Sequence, residues 1–343
     1  MGKQDIKSLT GKELETAVCE MGLPRFRAGQ IYSWLHGKRV STFAEMTNLS
    51  AALREQLDEK FYINAIRVKK RLVSNLDGTV KYLYELRDQN CVEAVLMRYR
   101  HGNSLCISTQ VGCRMGCKFC ASTIGGLVRS LTPSEMLDEV YTAQADSGER
   151  VDSLVLMGIG EPLDNFDNVM AFLEILSSRE GLNLSLRHVS LSTCGLVDKI
   201  YELAARKLQL TLSVSLHAPN DAIRNQSMPI NKKYSVEELL EACRRYFEVT
   251  GRRVSFEYAL IAGVNDAPAH AKELAERLRG MAAHVNLIPV NPVKETGYQR
   301  GSREAVERFR AALERYGVNA TVRRELGADI AAACGQLRRQ ETL

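Results

Sequence analysis

No stretch of this 343-residue sequence approaches the roughly 18 consecutive apolar residues that a membrane-spanning helix needs. The first seven residues, Met1 to Lys7, lack the apolar core of a secretory signal, so a cytoplasmic location and no membrane partner are the expectation. No internal repeat, low-complexity tract or phosphate-cradling G-x4-G-K-[ST] loop is present, which leaves solenoids, disordered tails and P-loop nucleotide hydrolases without a basis. Gly158 and Gly160 form a fragment of a dinucleotide fingerprint, but its third glycine is missing. Apolar residues make up 45% and charged residues 25%, an ordinary balance for a globular protein able to bury one large core or two.

Two features are unevenly spread. The net charge of +5 lies in the first hundred residues, which hold 17 Lys and Arg against 12 Asp and Glu; the remainder holds 29 of each. A basic N-terminal module on a neutral body points to a polyanion such as RNA. Nine cysteines are an odd and high number for a reducing compartment, and three of them cluster. Cys19, Cys91, Cys194 and Cys243 are expected to be small buried hydrophobes.

The hydrophobic period changes along the chain. Leu9, Leu14, Val18, Met21 and Leu23 mark one helical stripe, Ile31 and Trp34 a second, and Leu53, Leu57 and Phe61 a third. Trp34 is expected in the core. From Ile66 the period is two: runs 66–74 and 79–87 flank Asp77-Gly78, a hairpin signal, and 91–99 supplies a third strand. Lys69, Lys70, Arg71, Lys81, Arg98 and Arg100 are candidates for a phosphate-facing surface. From Ser104 onwards, strand-like runs at 104–110, 152–158, 187–193, 209–216, 253–261, 284–290 and 317–323 alternate with helical stretches. Thr132-Pro133-Ser134-Glu135 is a capping box with proline at the first helical position. This α/β rhythm predicts a parallel sheet with right-handed crossovers and a site beyond the carboxyl ends of its strands. Two units follow: residues 1–100, a small basic α+β domain for RNA, and residues 101–343, the parallel α/β body.

The chemistry centres on Cys113, Cys117 and Cys120, spaced C-x3-C-x2-C between a strand and the turn at Gly125-Gly126. Three thiolates on one short loop can hold three irons of a cubane cluster and leave the fourth open for reaction. A structural zinc knuckle is the alternative, though zinc sites usually show two separated ligand pairs. Gly160 and Glu161 follow one strand; Ser192, the run Ser215, Leu216, His217, and Asn291 end three others. Each is also readable as a turn glycine, a strand end or a hydrogen-bonded structural histidine. Cys106 lies within a strand, Glu93 between apolar neighbours, and Cys334 among small residues near the C-terminus.

The triplet with Phe119 before its last cysteine resembles the radical S-adenosylmethionine (SAM) signature. With 106–113 and 333–337 it resembles the RlmN and Cfr family of RNA adenine methyltransferases, over about residues 9–337. The resemblance implies an incomplete (βα)6 barrel and a 4Fe–4S cluster on Cys113, Cys117 and Cys120. It implies SAM contacts from Gly160, Glu161, Ser192, Ser215, Leu216, His217 and Asn291, with two SAM molecules used per turnover. Cys334 would carry a methyl group, link covalently to the adenine, and be released by Cys106 as a disulfide; Glu93 would act as base. The implied substrates are an adenine of the peptidyl-transferase region of 23S rRNA and the adenine 3′ of some tRNA anticodons. A flavodoxin or ferredoxin would supply electrons to a monomeric enzyme. Glu161-Pro162 and 288–292 favour carbon 2 (the RlmN branch) over carbon 8 (the Cfr branch). An iron–sulfur RNA-binding regulator without turnover is the reading from a different class.

Overall fold

The computed structural model describes residues 2–338, except 292, 294 and 296; Pro292 of the 288–292 motif therefore lies outside the described residues. Short strands β1 (Gln4–Asp5) and β2 (Phe61–Tyr62) pair and close off three helices, α1 (Gly11–Glu20), α2 (Phe26–Tyr32) and α3 (Ala51–Lys60). The Thr10 hydroxyl caps α1 and Ser50 caps α3, which is why each starts where its apolar stripe does. Leu14, Val18, Ile31, Leu53 and Leu57 turn inward, and Trp34 is buried as expected.

Strands β3 (Arg67–Val73), β4 (Val80–Glu85) and β5 (Cys91–Tyr99) form the antiparallel meander read from the two-residue period. Asp77 Oδ1 accepts from Thr79 N at 3.0 Å and Gly78 takes φ 72°, which makes the tight turn. The meander continues into β6 (Gly102–Cys106). After the small hairpin β7 (Gln110–Gly112) and β8 (Leu127–Ser130), the sheet runs on through β9 (Ser153–Leu156), β10 (Val189–Thr193), β11 (Thr211–Ser215), β12 (Val254–Leu260), β13 (Ala283–Pro289) and β14 (Ala320–Val322). The main sheet has ten strands in the order β14-β13-β12-β11-β10-β9-β6-β5-β4-β3. From β6 to β14 every neighbour pair is parallel. The order never reverses, as it would at the switch point of an open doubly wound sheet, so the parallel part is a partial barrel.

The crossover helices are α4 (Pro133–Ser147), α5 (Phe166–Ser177), α6 (Val197–Ala205), α7 (Asp221–Ser227) with α8 (Val236–Thr250), α9 (Pro268–Arg277) and α10 (Arg303–Arg315). Thr132 and Glu135 form the predicted capping box of α4. Val236, Leu239, Leu240, Cys243 and Tyr246 put the apolar stripe of α8 in the core, and Gly251 ends it at φ 66°. The segments just outside β1 and β2 are fastened to α4: Lys7 Nζ sits 2.5 Å from Asp138 Oδ1, and Asn64 Nδ2 donates to Asp138 Oδ2 at 3.1 Å.

Two sequence expectations are corrected. Cys19 is exposed, because it lies on the outer side of α1, whereas Cys91, Cys194 and Cys243 are buried. The proposed basic face also divides. Lys69 and Lys70 are exposed on edge strand β3, but Lys81 is buried against Glu93 and Arg98 is paired with Glu149 at 2.9 Å. Charge on an edge strand also discourages unwanted strand pairing.

Candidate active site

A cavity of about 150 Å³ opens at the carboxyl ends of the parallel strands. Cys113, Cys117 and Cys120 line this cavity together with Gly160, Glu161, Ser192, Ser215, His217, Asn291 and Cys334. Nearly all the sequence-derived site residues therefore converge. Three do not line this space. Leu216 has its side chain in the hydrophobic core. Its N–H donates to the Glu257 carbonyl at 3.1 Å and its carbonyl accepts from Arg224 Nε at 3.1 Å. Cys106 ends β6 in a small apolar cluster with Val95, Met97 and Ile159, and Glu93 faces the C-terminal segment from β5.

The cysteine loop is shaped by close backbone approach. Gly112 sits at φ 76°, and a Cβ there would fall 2.0 Å from the Gly126 carbonyl oxygen. Burial pushes the Cys113 thiol up to about 12, and burial with the other two thiols raises Cys117 further. Cys113 and Cys117 are buried and Cys120 half-buried, and burial raises all three thiols in protein alone; a bound cationic iron group would reverse that and hold them as thiolates. The donor set fits an iron–sulfur cluster by this criterion.

The glycines and Glu161 bridge strand ends. Gly160 has φ 108°, and its missing Cβ would meet Gln110 Cβ at 2.6 Å. Glu161 is buried; Oε2 accepts from Cys194 N at 2.7 Å and Oε1 from Leu163 N at 3.0 Å. Burial raises its pKa and these N–H groups oppose the rise. The Thr193 and Cys194 side chains also hydrogen-bond this carboxylate, so Glu161 is held in place at the cavity wall.

His217 is hydrogen-bonded within the fold and also lines the cavity. At φ 57° its ring turns so that Nδ1 accepts from Ala259 N at 2.8 Å, which leaves the proton on Nε2. Its ring meets the edge of Phe119 with centroids 4.8 Å apart. Burial pushes its pKa down to about 3, so the imidazole is neutral. Asn291 Nδ2 donates to the Cys334 carbonyl at 3.0 Å. The Ala121 N–H donates to the Gly335 carbonyl at 2.8 Å and Ser122 Oγ to the Leu337 carbonyl at 2.9 Å. The segment carrying Cys334 is thus stitched to the loop carrying Cys120. Burial pushes Cys106 up to about 12, with the Cys334 thiol as the next contributor.

Sequence reasoning missed two arginines. Arg224 is fully buried and donates to the carbonyls of Cys194 (2.6 Å), Leu216 (3.1 Å) and Ser215 (3.2 Å), tying the ends of β10 and β11 together. Arg323, one residue past β14, lines the cavity with Cys334; its Nη1 lies 3.8 Å from Glu257 Oε2. Cys334 is the largest influence raising its pKa. The strand-end position that Ser192 and Asn291 share, both named through the resemblance, is also that of Arg323; Arg224, within a helix, has no comparable signal.

A three-thiol loop at the mouth of a partial parallel barrel defines the radical-SAM enzymes, and residues 107–277 match the Radical SAM superfamily. Residues 4–63 match the ribosomal RNA large subunit methyltransferase N-terminal domain. The chain is 54% identical over 340 residues to a probable dual-specificity RNA methyltransferase RlmN of Alkaliphilus oremlandii, covering 99% of both. It is 55% identical over 334 residues to one of Lachnospira eligens, covering 97% of this chain and 95% of that one. A crystal structure of a radical SAM methyltransferase from Sphaerobacter thermophilus superposes with TM-score 0.92 at 42% identity, covering 98% of this chain and 100% of that one. This chain belongs to the RlmN family. It is a radical-SAM RNA methyltransferase that works with a 4Fe–4S cluster and SAM. Among the described residues, no helix is long and apolar enough to cross a membrane.

Proposed function

We propose that this enzyme methylates carbon 2 of one adenine in the peptidyl-transferase region of 23S rRNA and of the adenine 3′ of the anticodon in some tRNAs. The observation that carries the reading is the placement of Cys334 on the same cavity as Cys113, Cys117 and Cys120. The relatives' name, dual-specificity RNA methyltransferase, supports the two substrate classes.

Adenine carbon 2 is electron-poor and does not attack the methyl of SAM as a thiolate does. The cluster and SAM, when bound, supply the one-electron chemistry this carbon requires. Cys113, Cys117 and Cys120 hold the cluster. Gly160, Glu161, Ser192, Ser215, His217 and Asn291 hold SAM, with Leu216 as the buried anchor between two of them. Two SAM molecules would be used per turnover, one as the methyl source for Cys334 and one as the source of the one-electron chemistry. With that chemistry supplied, the Cys334 methyl would give up one hydrogen atom and its carbon would bond to adenine carbon 2; once the ring proton has gone to Glu93, the one unpaired electron would return to the cluster and leave a thioether, a covalent strategy that divides one inaccessible step into feasible ones. Glu93 accepts the ring proton. Cys106 attacks the Cys334 sulfur; the carbon–sulfur pair stays with the carbon, which takes a proton, and a disulfide is left. Residues 1–100 hold the flanking RNA and 101–343 carry the chemistry. A flavodoxin or ferredoxin supplies electrons, and the enzyme acts as a monomer. The target adenine must leave its stack to reach so enclosed a site.

Anaerobic reconstitution with SAM, reductant and an RNA fragment, followed by nucleoside mass spectrometry, tests this. 2-Methyladenosine is expected, and Cys106→Ala should trap a protein–RNA crosslink. Only 8-methyladenosine, or normal turnover by Cys106→Ala, would overturn the respective assignment.

A further inference from the structure

Lys81 is a buried ammonium with two partners. Its side chain is 9% exposed and that of Glu93 8%, and its Nζ lies 3.1 Å from Glu93 Oε1. The same nitrogen donates to the Ala331 carbonyl at 3.2 Å. Glu93 Oε2 accepts from the Arg338 N–H at 2.7 Å. Ala331 and Arg338 bracket Cys334. The pairing follows from the sheet: Lys81 faces Val95 and Leu83 faces Glu93, so lysine and glutamate are diagonal neighbours on one face.

The β3–β4 hairpin grips the same segment further along. Ser74 Oγ donates to Asp329 Oδ1 at 2.6 Å, and Gly327 N donates to Asp77 Oδ2 at 3.0 Å. Ser74, Asp77 and Lys81 therefore hold Asp329, Gly327 and Ala331 in turn, and Lys81 holds Glu93 as well.

We propose that Lys81 is a positioning residue for proton removal. It keeps Glu93 ionised and ties it to the Cys334 segment, so that base and methyl carrier meet the adenine as one unit. This rests on the reading of Glu93 as base and Cys334 as carrier. Burial raises the Glu93 pKa, and the Lys81 ammonium is the largest opposing influence, followed by Arg338. Without that charge the buried carboxyl would hold its own proton and have no basic oxygen to offer. With it, Lys81 and Arg338 occupy two of about four acceptor sites and leave the others for the substrate proton. In the step itself, the carbon-2 proton passes to a Glu93 oxygen and its bonding pair stays on the ring. The carboxyl ends neutral, Lys81 remains an ammonium, and no electron is gained or lost.

The test uses the reconstituted full-length enzyme, an RNA fragment, and a denaturing gel that separates crosslinked from free RNA through a single turnover. Lys81→Met and Lys81→Gln should accumulate the protein–RNA adduct and release it at least tenfold more slowly than wild type, with release recovering as pH is raised. Lys81→Arg should restore release, because it keeps the charge. Lys81→Gln retains a donor for Ala331, so it remains informative if Lys81→Met does not fold. Wild-type release by Lys81→Gln, or equal slowing by Gln and Arg, would overturn the role of the charge. Glu93→Gln is the separate control: an absence of adduct in that variant would overturn the reading of Glu93 itself.

Discussion

Replacing Gly160 by alanine probes how closely the backbone must approach at the end of β9. Gly160 has φ 108°, and a Cβ would lie 2.6 Å from Gln110 Cβ and 2.8 Å from both Gln110 Cγ and Gln110 N. Gln110 cannot simply yield. Its Nε2 donates to Asp164 Oδ2 at 2.9 Å and Ser130 Oγ at 3.3 Å, and its Oε1 accepts from Glu161 N at 2.9 Å. The unfavourable φ costs about 1–2 kcal/mol, and each hydrogen bond lost in the adjustment about 1 kcal/mol. Gly160→Ala should therefore destabilise the fold by about 3 kcal/mol. Displacing Glu161 should also weaken SAM binding by at least about tenfold, equivalent to about 1.4 kcal/mol. Gly251→Ala is the control: φ is 66° but nothing lies within 4 Å of the added Cβ, so only the backbone cost of about 1 kcal/mol should appear. Urea denaturation of both variants and calorimetric SAM titration of the reconstituted proteins would measure this. Equal, small losses in the two variants, with SAM affinity retained in Gly160→Ala, would refute the argument.

Other consequences follow from buried charge. Lys7→Met leaves Asp138 uncompensated and should cost about 3–5 kcal/mol in urea denaturation, whereas Lys7→Met with Asp138→Leu should recover most of that loss. Burial holds His36 and His217 each at about 3 in the folded state, below the unfolded value. The unfolded chain then binds more protons on acidification, so stability present above about pH 6.5 should be lost as pH falls towards 3, and His36→Gln should flatten that limb. Arg323→Met removes the guanidinium beside Cys334 and Glu257; methyl loading of Cys334, read by mass spectrometry of the intact protein, should slow at least tenfold relative to wild type.

Much of this fold was legible because its determinants are local. The alternating runs after Ser104 mark strands buried on both faces, and Thr132 with Glu135 fixes the start of α4 through one reciprocal hydrogen-bond pair. Gly160, Glu161, Ser192 and Asn291 were named through the family resemblance, and their common cavity agrees with the rule that a parallel barrel places strand ends at one mouth. What depends on the partner across space was not legible. Lys81 reads as a basic strand residue, and only pairing of β4 with β5 turns it inward to Glu93. Cys19 sits in an apolar-looking helix whose rotation leaves it outside. Leu216 lies between two cavity residues, but strand alternation sends its side chain to the opposite face, into the core.

The most direct test of the account is the resting and SAM-bound electron paramagnetic resonance spectrum of the anaerobically reconstituted, reduced protein, together with its iron and sulfide content. The account predicts one 4Fe–4S cluster per chain, lost in Cys113→Ala, whose spectrum changes when SAM carrying a labelled amino or carboxylate group binds the open iron. Protein that carries only zinc, or a cluster whose spectrum SAM leaves unaltered, would contradict it.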